Sequence, residues 1–589
     1  MASQNEIGTQ LPPALVQGPS EPELWHKKLR DLIDEQEERF GDRDALIVPW
    51  QSAKLSYRQL AERSRLVARA LLGLGLQHSD CVGIMAGNCY QYIEVFLGGA
   101  RIGCPVVVLN TTYTPEELRN AVRQSSCKVV FISPSIGDKN LAAHIDVLRG
   151  REPRNPALPE LTPLVLLGQY TSDRDTGVEI QEYNAFTASG LSVFLKSFDL
   201  KRAERKVQPD DVLNLQFTSV VELHEKTMPS NMQLIVPRNL VNNARFVGQA
   251  MQLGPEDVIC SPPPLFHCFG LVMGFLASFC HGSTIVLPAE YFDAAKVMAA
   301  LIQYDATVFL GVPTMYLGVL DTLAKTKQKP RRLRTGIASG SGVSAGLMQR
   351  IREETGADRI LIAYGMTETS PVTFITSMGD PDDKRATTVG RVLPHTAAKV
   401  IDKEGRILPR GAKGELCTSG FALQKGYWRN EAKTKEAMRK DEHGRLWMHT
   451  GDEALIDADG YAQITGRIKD LIIRGGENIF PLEIEEQLMS HPSISDSSVV
   501  GIKDEKYGEV VGCFLKLAEG ASQPLNSELR QHVQAHLGAH KAPQHIFWLG
   551  DPGVGEDFPK TGSGKHQKHI LRDIGVRLVS AKALPKAKL

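Results

Sequence analysis

The sequence predicts an α/β protein in which a large N-terminal portion is followed by a compact α/β unit. Three observations predict it. At 589 residues the chain is too long for a single hydrophobic core. Short apolar runs bounded by turn residues alternate with helix-period segments, the pattern of largely parallel sheets covered by helices. Beyond Arg467 to Asp470 the pattern starts again, with SSVVGIKD, CFLKLAEG and a terminal helix.

Residues 1–21 are polar and Pro-rich, lack the apolar core of a secretory signal and predict disorder. Arg58 to Leu76 carries apolar residues at helical spacing. Strands are predicted at CVGIMA (81–86), KVVFIS (128–133), LVLLG (164–168), STIVLP (283–288) and TVFLGVP (307–313). The Pro-rich stretch 134–161 predicts a surface loop. Leu265 to Leu287 is uncharged and long enough to span a bilayer. His267, His281, Gly282 and Ser283 punctuate it, however, so it predicts a buried helix, a turn and a strand, and no transmembrane segment.

Lys plus Arg equals Asp plus Glu at 68 each, which excludes a global basic field of the kind that attracts nucleic acid. Nine cysteines show no CxxC pair and no metal spacing, as expected of reduced thiols in a reducing compartment.

Four segments carry chemistry: YGMTETSP (364–371), TGD (450–452), GRIKD (466–470) and PKTGSGK (559–565). Together they ask for a nucleotide. The Tyr364 ring can stack on adenine, and Thr367 can donate to a phosphate. Glu368 is a hard oxygen ligand for magnesium. Asp452 can accept from both ribose hydroxyls. Lys565 is a cation suited to charge that develops during reaction. Taken singly, each has a plainer reading. Tyr364 would be a sheet-edge aromatic, Glu368 an acid favoured by a helix dipole, Asp452 a turn cap and Lys565 part of a solvated basic face with Lys560 and Lys568.

In this order and spacing the set resembles the adenylate-forming superfamily of acyl-CoA synthetases, luciferases and adenylation domains, over residues 22–575. The resemblance implies an AMP-binding N-terminal domain at 22–466, a hinge at 467–470 carrying Lys469, a small mobile C-terminal domain at 471–575 and a tail at 576–589. It implies ATP, Mg2+ and CoA, with a small carboxylic acid as substrate. By the same resemblance Tyr364 packs on adenine, Gly365 belongs to the same nucleotide site, Thr367 touches the α-phosphate, Glu368 binds magnesium, and Gly340 and Ser341 of the Ser339–Gly342 loop border the adenine. Asp452 holds the ribose hydroxyls, Arg467 matches the family's nucleotide-binding arginine, and Lys565 stabilises the reacting phosphate. RGGENIFP, with Gly475, Gly476 and Glu477, matches the element that swings in for thioester formation. PPLFHCFGL, with His267 and Phe269, matches the gate near the carboxylate, where a buried structural histidine is the competing reading. The acyl pocket would draw on that segment, on Leu310 to Pro313 with Gly311, and on Gly340 to Val343. No fixed charge for an amino-acid substrate is evident there, which favours an apolar or hydroxylated acyl chain. Gly390 to Asp402 and the gate resemble medium-chain acyl-CoA synthetases. Fungal pathway ligases for siderophores or polyketide-type toxins combine this fold with a peroxisomal tail. Here Ala587, Lys588 and Leu589 match the small-basic-Leu address read by a peroxisomal import receptor, or else form a chance tripeptide; without that import the expected place is the cytoplasm.

One motif departs from the family. Its phosphate loop reads Thr-Ser-Gly-Thr-Thr-Gly-x-Pro-Lys, followed by His-Arg-Asn-Leu, and cradles the β- and γ-phosphates. This chain keeps LQFTS (215–219), with Thr218 and Ser219 as phosphate contacts, and RNLVNNA (238–244). Between them stands VVELHEKTMPSNMQLIVP (220–237), which lacks both glycines and the Pro-Lys pair. Val220 and Val221 disfavour the positive-φ turns that glycine permits, and Glu222 and Glu225 bring negative charge toward a triphosphate. Adenylation by the chain as written is expected to be weakened. A frame or splice displacement between intact flanks would explain the change, as would a degenerate gene. Two readings remain: an acyl-CoA ligase, and a non-catalytic relative that binds nucleotide or acyl ligand. A third reading, an adenylation module that feeds a free-standing carrier protein in place of CoA, stays open.

Overall fold

The computed structural model describes residues 11–150, 158, 161, 163–169, 178–191, 197–217, 232–340, 343, 345–561 and 564–583. Thr218, Ser219, Ser341 and the tripeptide 587–589 lie outside the described residues.

Two largely parallel sheets dominate. One runs, strand by strand, Ile180–Glu182, Leu164–Leu166, Cys127–Ile132, Cys81–Met85, Val106–Val108, Asn214–Phe217 and Met232–Ile235. All its pairings are parallel except the last. The other is built around Asp44–Val48, Thr284–Val286, Val258–Cys260, Val308–Gly311, Thr335–Ser339 and Arg359–Gly365, all parallel, with antiparallel strands at its edges. Every predicted strand is present. Parallel pairing requires crossover helices, and these pack between the sheets. The largest core joins both sheets through Tyr92 and Phe96, Val241 and Phe246, and Phe275 and Phe279.

The uncharged run folds as read. Phe269–Leu276 is a π-helix with every residue buried, Ala277–His281 continues it as α-helix, and Gly282 closes it at φ 72° before the Thr284–Val286 strand. Among the described residues no helix is long and apolar enough to cross a membrane. Two expectations need correction. From Leu11 on, the N-terminus is ordered: Leu15–Gln17 pairs antiparallel with Thr396–Ile401, and Ala14 is buried beneath it. The stretch read as a loop at 134–161 contains a short hairpin and the helix Ala142–Arg149. Ile145 and Leu148 give that helix an apolar face, and both are fully buried; the prolines that suggested a loop fall at its flanks.

A third sheet, antiparallel, contains Gly414–Gly420, Leu446–Ile456 and Ala462–Arg467. It ends in a single 3-10 turn, Ile468–Asp470, which carries Lys469. Among the described residues, the sheet beyond that turn shares no strand with the others. Its long hairpin, Ile494–Asp504 with Gly508–Leu517, packs Ile484, Leu488, Leu529 and Val533 on one face. Phe514, Phe547 and Leu571 pack on the other.

Candidate active site

The Arg359–Gly365 strand delivers Tyr364 to the end of the second sheet. Its register shifts at Tyr364 and Gly365, where a Cβ on Gly365 would fall 1.8 Å from the Pro371 carbonyl oxygen, so only glycine fits. The chain then turns through Thr367–Thr369, placing Thr367 and the buried Glu368 beside it. The Leu446–Ile456 and Ala462–Arg467 strands pair Asp452 with Arg467 in register. Tyr364 donates its hydroxyl to Asp452 Oδ2 at 2.6 Å, and Arg467 Nε lies 3.3 Å from Asp452 Oδ1. Burial and the Asp452 carboxylate push the Tyr364 phenol well above its ordinary range, so it stays a donor. Asp452 therefore reaches the site already oriented by two partners, with lone pairs left for a diol.

Lys565 belongs to the C-terminal unit but ends among these residues. Water still reaches the side chain, yet the surrounding protein depresses its ammonium, Arg467 adds to the depression, and Asp452 and Glu368 oppose it. A turn holds it: Thr561 Oγ1 accepts from Lys565 N–H at 3.1 Å, and Thr561 N–H donates to Lys565 O at 2.8 Å. The adjoining Gly564 approaches Val312, and a Cβ there would lie 3.7 Å from Val312 Cγ2. Val312 also lies under Gly340, whose φ of 97° ends the Thr335–Ser339 strand. Gly311, Gly340 and Lys565 thus converge.

His267 opens the gate segment. Burial, reinforced by Lys565, pulls its imidazole down to about 4, so it is neutral at physiological pH. Its Nδ1 accepts from Phe269 N–H at 3.2 Å, which makes Nε2–H the donor of the neutral ring. Phe269 is buried at the start of the π-helix. The structure does not bring Gly475, Gly476 and Glu477 to this cleft. They form a two-residue hairpin turn with positive φ at both glycines, and its described bonds stay in the C-terminal unit, Gly475 N–H to Tyr507 O among them.

Several residues at the site were not anticipated from sequence. Glu368 Oε1 accepts from Gln233 Nε2 at 3.1 Å and from Tyr427 OH at 3.0 Å. Gln216 Oε1 accepts from Cys268 Sγ at 2.6 Å, and Thr367 hydrogen-bonds the same sulfur. The available signal was a lone glutamine inside each apolar strand, NLQF and MQLI. A hard divalent cation fits this donor set. Glu368 is 6% exposed with one oxygen anchored, and its Oε2 accepts no bond from the described residues.

This fold and this cleft define an adenylate-forming enzyme. The AMP-binding enzyme profile matches residues 33–428, and that of the AMP-binding enzyme C-terminal domain matches residues 483–565. The chain is 44% identical to the acyl-CoA ligase sidI of Aspergillus fumigatus, over 98% of this chain and 96% of that one. It is 33% identical to the mitochondrial medium-chain acyl-CoA ligase ACSF2 of Danio rerio, over 95% and 90%. The crystal structure of ATP-bound MatB from Rhodopseudomonas palustris superposes with a TM-score of 0.76 at 26% identity, covering 93% of this chain and 99% of that one. The chain belongs to the AMP-binding enzyme family, among its AMP-forming acyl-CoA ligases.

Proposed function

We propose that this protein activates a medium-chain fatty or hydroxy-acyl carboxylic acid with ATP and transfers the acyl group to CoA, in a specialised pathway of secondary-metabolite or siderophore type. The observation that carries the proposal is the convergence of Lys565 on Glu368, Asp452 and Arg467 from the far side of the 468–470 turn. In the first step the acid's carboxylate oxygen attacks the α-phosphorus, the bond to pyrophosphate breaks, and an acyl-adenylate remains. Lys565 and Arg467 offset the negative charge that builds there. Glu368 would hold magnesium, which neutralises phosphate charge when bound. In the second step the CoA thiol adds to the acyl carbon, AMP leaves with the bonding electrons, and the thiol proton goes to solvent. A neutral His267 and the buried apolar π-helix after it offer no fixed charge, which suits an uncharged acyl chain at the gate segment.

The sequence at 220–237 supports a second reading, a relative that binds nucleotide without turning it over, because the phosphate-cradling glycines and the Pro-Lys pair are missing. The two readings separate in one assay. Pyrophosphate release from MgATP is followed with acids from acetate through long-chain and hydroxylated ones, and acyl-CoA is measured alongside. Release restricted to medium-chain or hydroxylated acids supports the ligase. No release by folded protein with any acid favours the second reading.

A further inference from the structure

We propose that Gln233 is a positioning residue for the divalent cation at Glu368. Its amide N–H holds one carboxylate oxygen in place, and its carboxamide oxygen accepts from a water of the cation's shell. The inference rests on the ligase reading above.

Gln233 is fully buried on the Met232–Ile235 strand, and its Nε2 donates to Glu368 Oε1 at 3.1 Å. Tyr427 OH donates to the same oxygen at 3.0 Å. Two donors on one oxygen stop the carboxylate from rotating and turn the other oxygen, Oε2, toward whatever enters. Pairing within the hairpin sets Gln233 directly opposite Gln216, so both side chains leave the same face. Gln216 secures Cys268, which stands beside Thr367. The hairpin thus supports both residues of the Thr367–Glu368 pair, each through one glutamine.

The second observation is the other end of the Gln233 carboxamide. Its Oε1 is buried and accepts no hydrogen bond from the described residues. An unpaired buried acceptor is costly, and native proteins rarely leave one without a use. Oε1 shares its carbon with the nitrogen bound to Glu368, so it stands beside the carboxylate. Magnesium dehydrates reluctantly and keeps several waters, each a strong donor. A hydrated cation on Glu368 Oε2 supplies the donor that Oε1 lacks. Groups that act through a ligand in this way typically change metal affinity ten- to a hundredfold.

The test measures Mn2+ binding by electron paramagnetic resonance, with a non-cleavable ATP analogue carrying a methylene between the α and β phosphorus. Wild type is compared with Gln233→Met, which keeps the volume and removes both polar atoms; near-ultraviolet circular dichroism checks folding. The expected result is Mn2+ affinity about tenfold weaker or more in the variant, with analogue affinity in EDTA unchanged. A Gln233→Met protein that binds Mn2+ as tightly as wild type overturns the inference and leaves the ligase reading standing. Wild type that takes up no Mn2+ with the analogue overturns both. If Gln233→Met does not fold, Gln233→Asn, which retracts the carboxamide by one methylene, is expected to weaken Mn2+ in the same direction, and equal affinity overturns the inference.

Discussion

Protonating His267 should cost the folded protein stability, and the structure fixes the sign and the window. The imidazole sits at about 4, against 6.5 for a free histidine, first because it is buried and second because Lys565 faces it. An unfolded chain takes up this proton below pH 6.5, whereas the folded chain takes it up only near pH 4. Between those values the unfolded state binds more protons, so stability is full above pH 6.5 and falls as pH drops through the window. A shift of this size corresponds to about 3 kcal/mol once fully developed. The perturbation is His267→Gln, which keeps a polar side chain and cannot titrate. The direct assay is NMR of protein labelled at the histidine ring, with the variant assigning the His267 signal. That signal should stay in the neutral form down to about pH 5. The midpoint of chemical unfolding should also fall less steeply between pH 7 and pH 4 in the variant than in wild type. Lys565→Ala should raise the His267 midpoint while leaving it below 6.5, because burial remains. A His267 signal titrating near 6.5 in wild type, unmoved by Lys565→Ala, would refute both the burial and the approach of Lys565.

Other substitutions test the rest of the cleft. Lys565→Ala should lower the adenylation rate about 10²–10³-fold with little change in melting, and quenched-flow pyrophosphate release measures it. The alkaline limb of the wild-type rate should fall below the ordinary lysine range, because the site depresses the ammonium and its charge is lost as pH rises. Asp452→Asn removes a 7%-exposed carboxylate that accepts from Tyr364 and pairs with Arg467. It should cost about 1–3 kcal/mol and weaken AMP binding in calorimetry. Gly365→Ala would drive a Cβ to 1.8 Å from the Pro371 oxygen, a backbone atom that cannot yield. Its cost should reach about 1–3 kcal/mol or more, read as a drop in inactivation temperature at fixed scan rate.

Sequence reasoning succeeded where periodicity or a joined motif carried the information. Five apolar runs became strands, and the helix stop at Gly282 followed from its turn residues. It failed where tertiary pairing decided the outcome. Leu15–Gln17 is too short and too polar in context to announce itself, and it is a strand only because Thr396–Ile401 offers an edge. The Ala142–Arg149 helix was hidden by flanking prolines, although its leucine and isoleucine already had helical spacing. Gln233 and Gln216 were invisible for a different reason. A polar residue inside an apolar strand signals a partner, but the partner, Glu368 or Cys268, lies far along the chain. The motif did place Lys565, Glu368 and Asp452 in one site, but it could not say that Tyr364 orients Asp452.

Within the altered segment at 220–237, replacing residues 220–231 tests folding and catalysis separately. The segment's C-terminal part is a regular strand: Met232–Ile235 joins Asn214–Phe217 in antiparallel register, and Leu215, Met232 and Ile235 are buried. The described cores include residues of this pair, Ile235 in one and Leu215 and Met232 in another. The entropy of closing a connection grows only slowly with its length. Replacing 220–231 by a Gly-, Ser- and Thr-rich segment ending in Pro-Lys should then leave the inactivation temperature within a few degrees of wild type. It should strengthen MgATP binding, because each hydrogen bond regained by a phosphate contributes about 1.5–3 kcal/mol, roughly ten- to a hundredfold in affinity. Calorimetric titration and pyrophosphate release on one preparation read both quantities. A stable replacement with unchanged nucleotide affinity would mean that the departure from the family pattern is not what limits adenylation. A replacement that binds tightly but melts far lower would mean that the native segment supports the fold, so the two roles could not be separated.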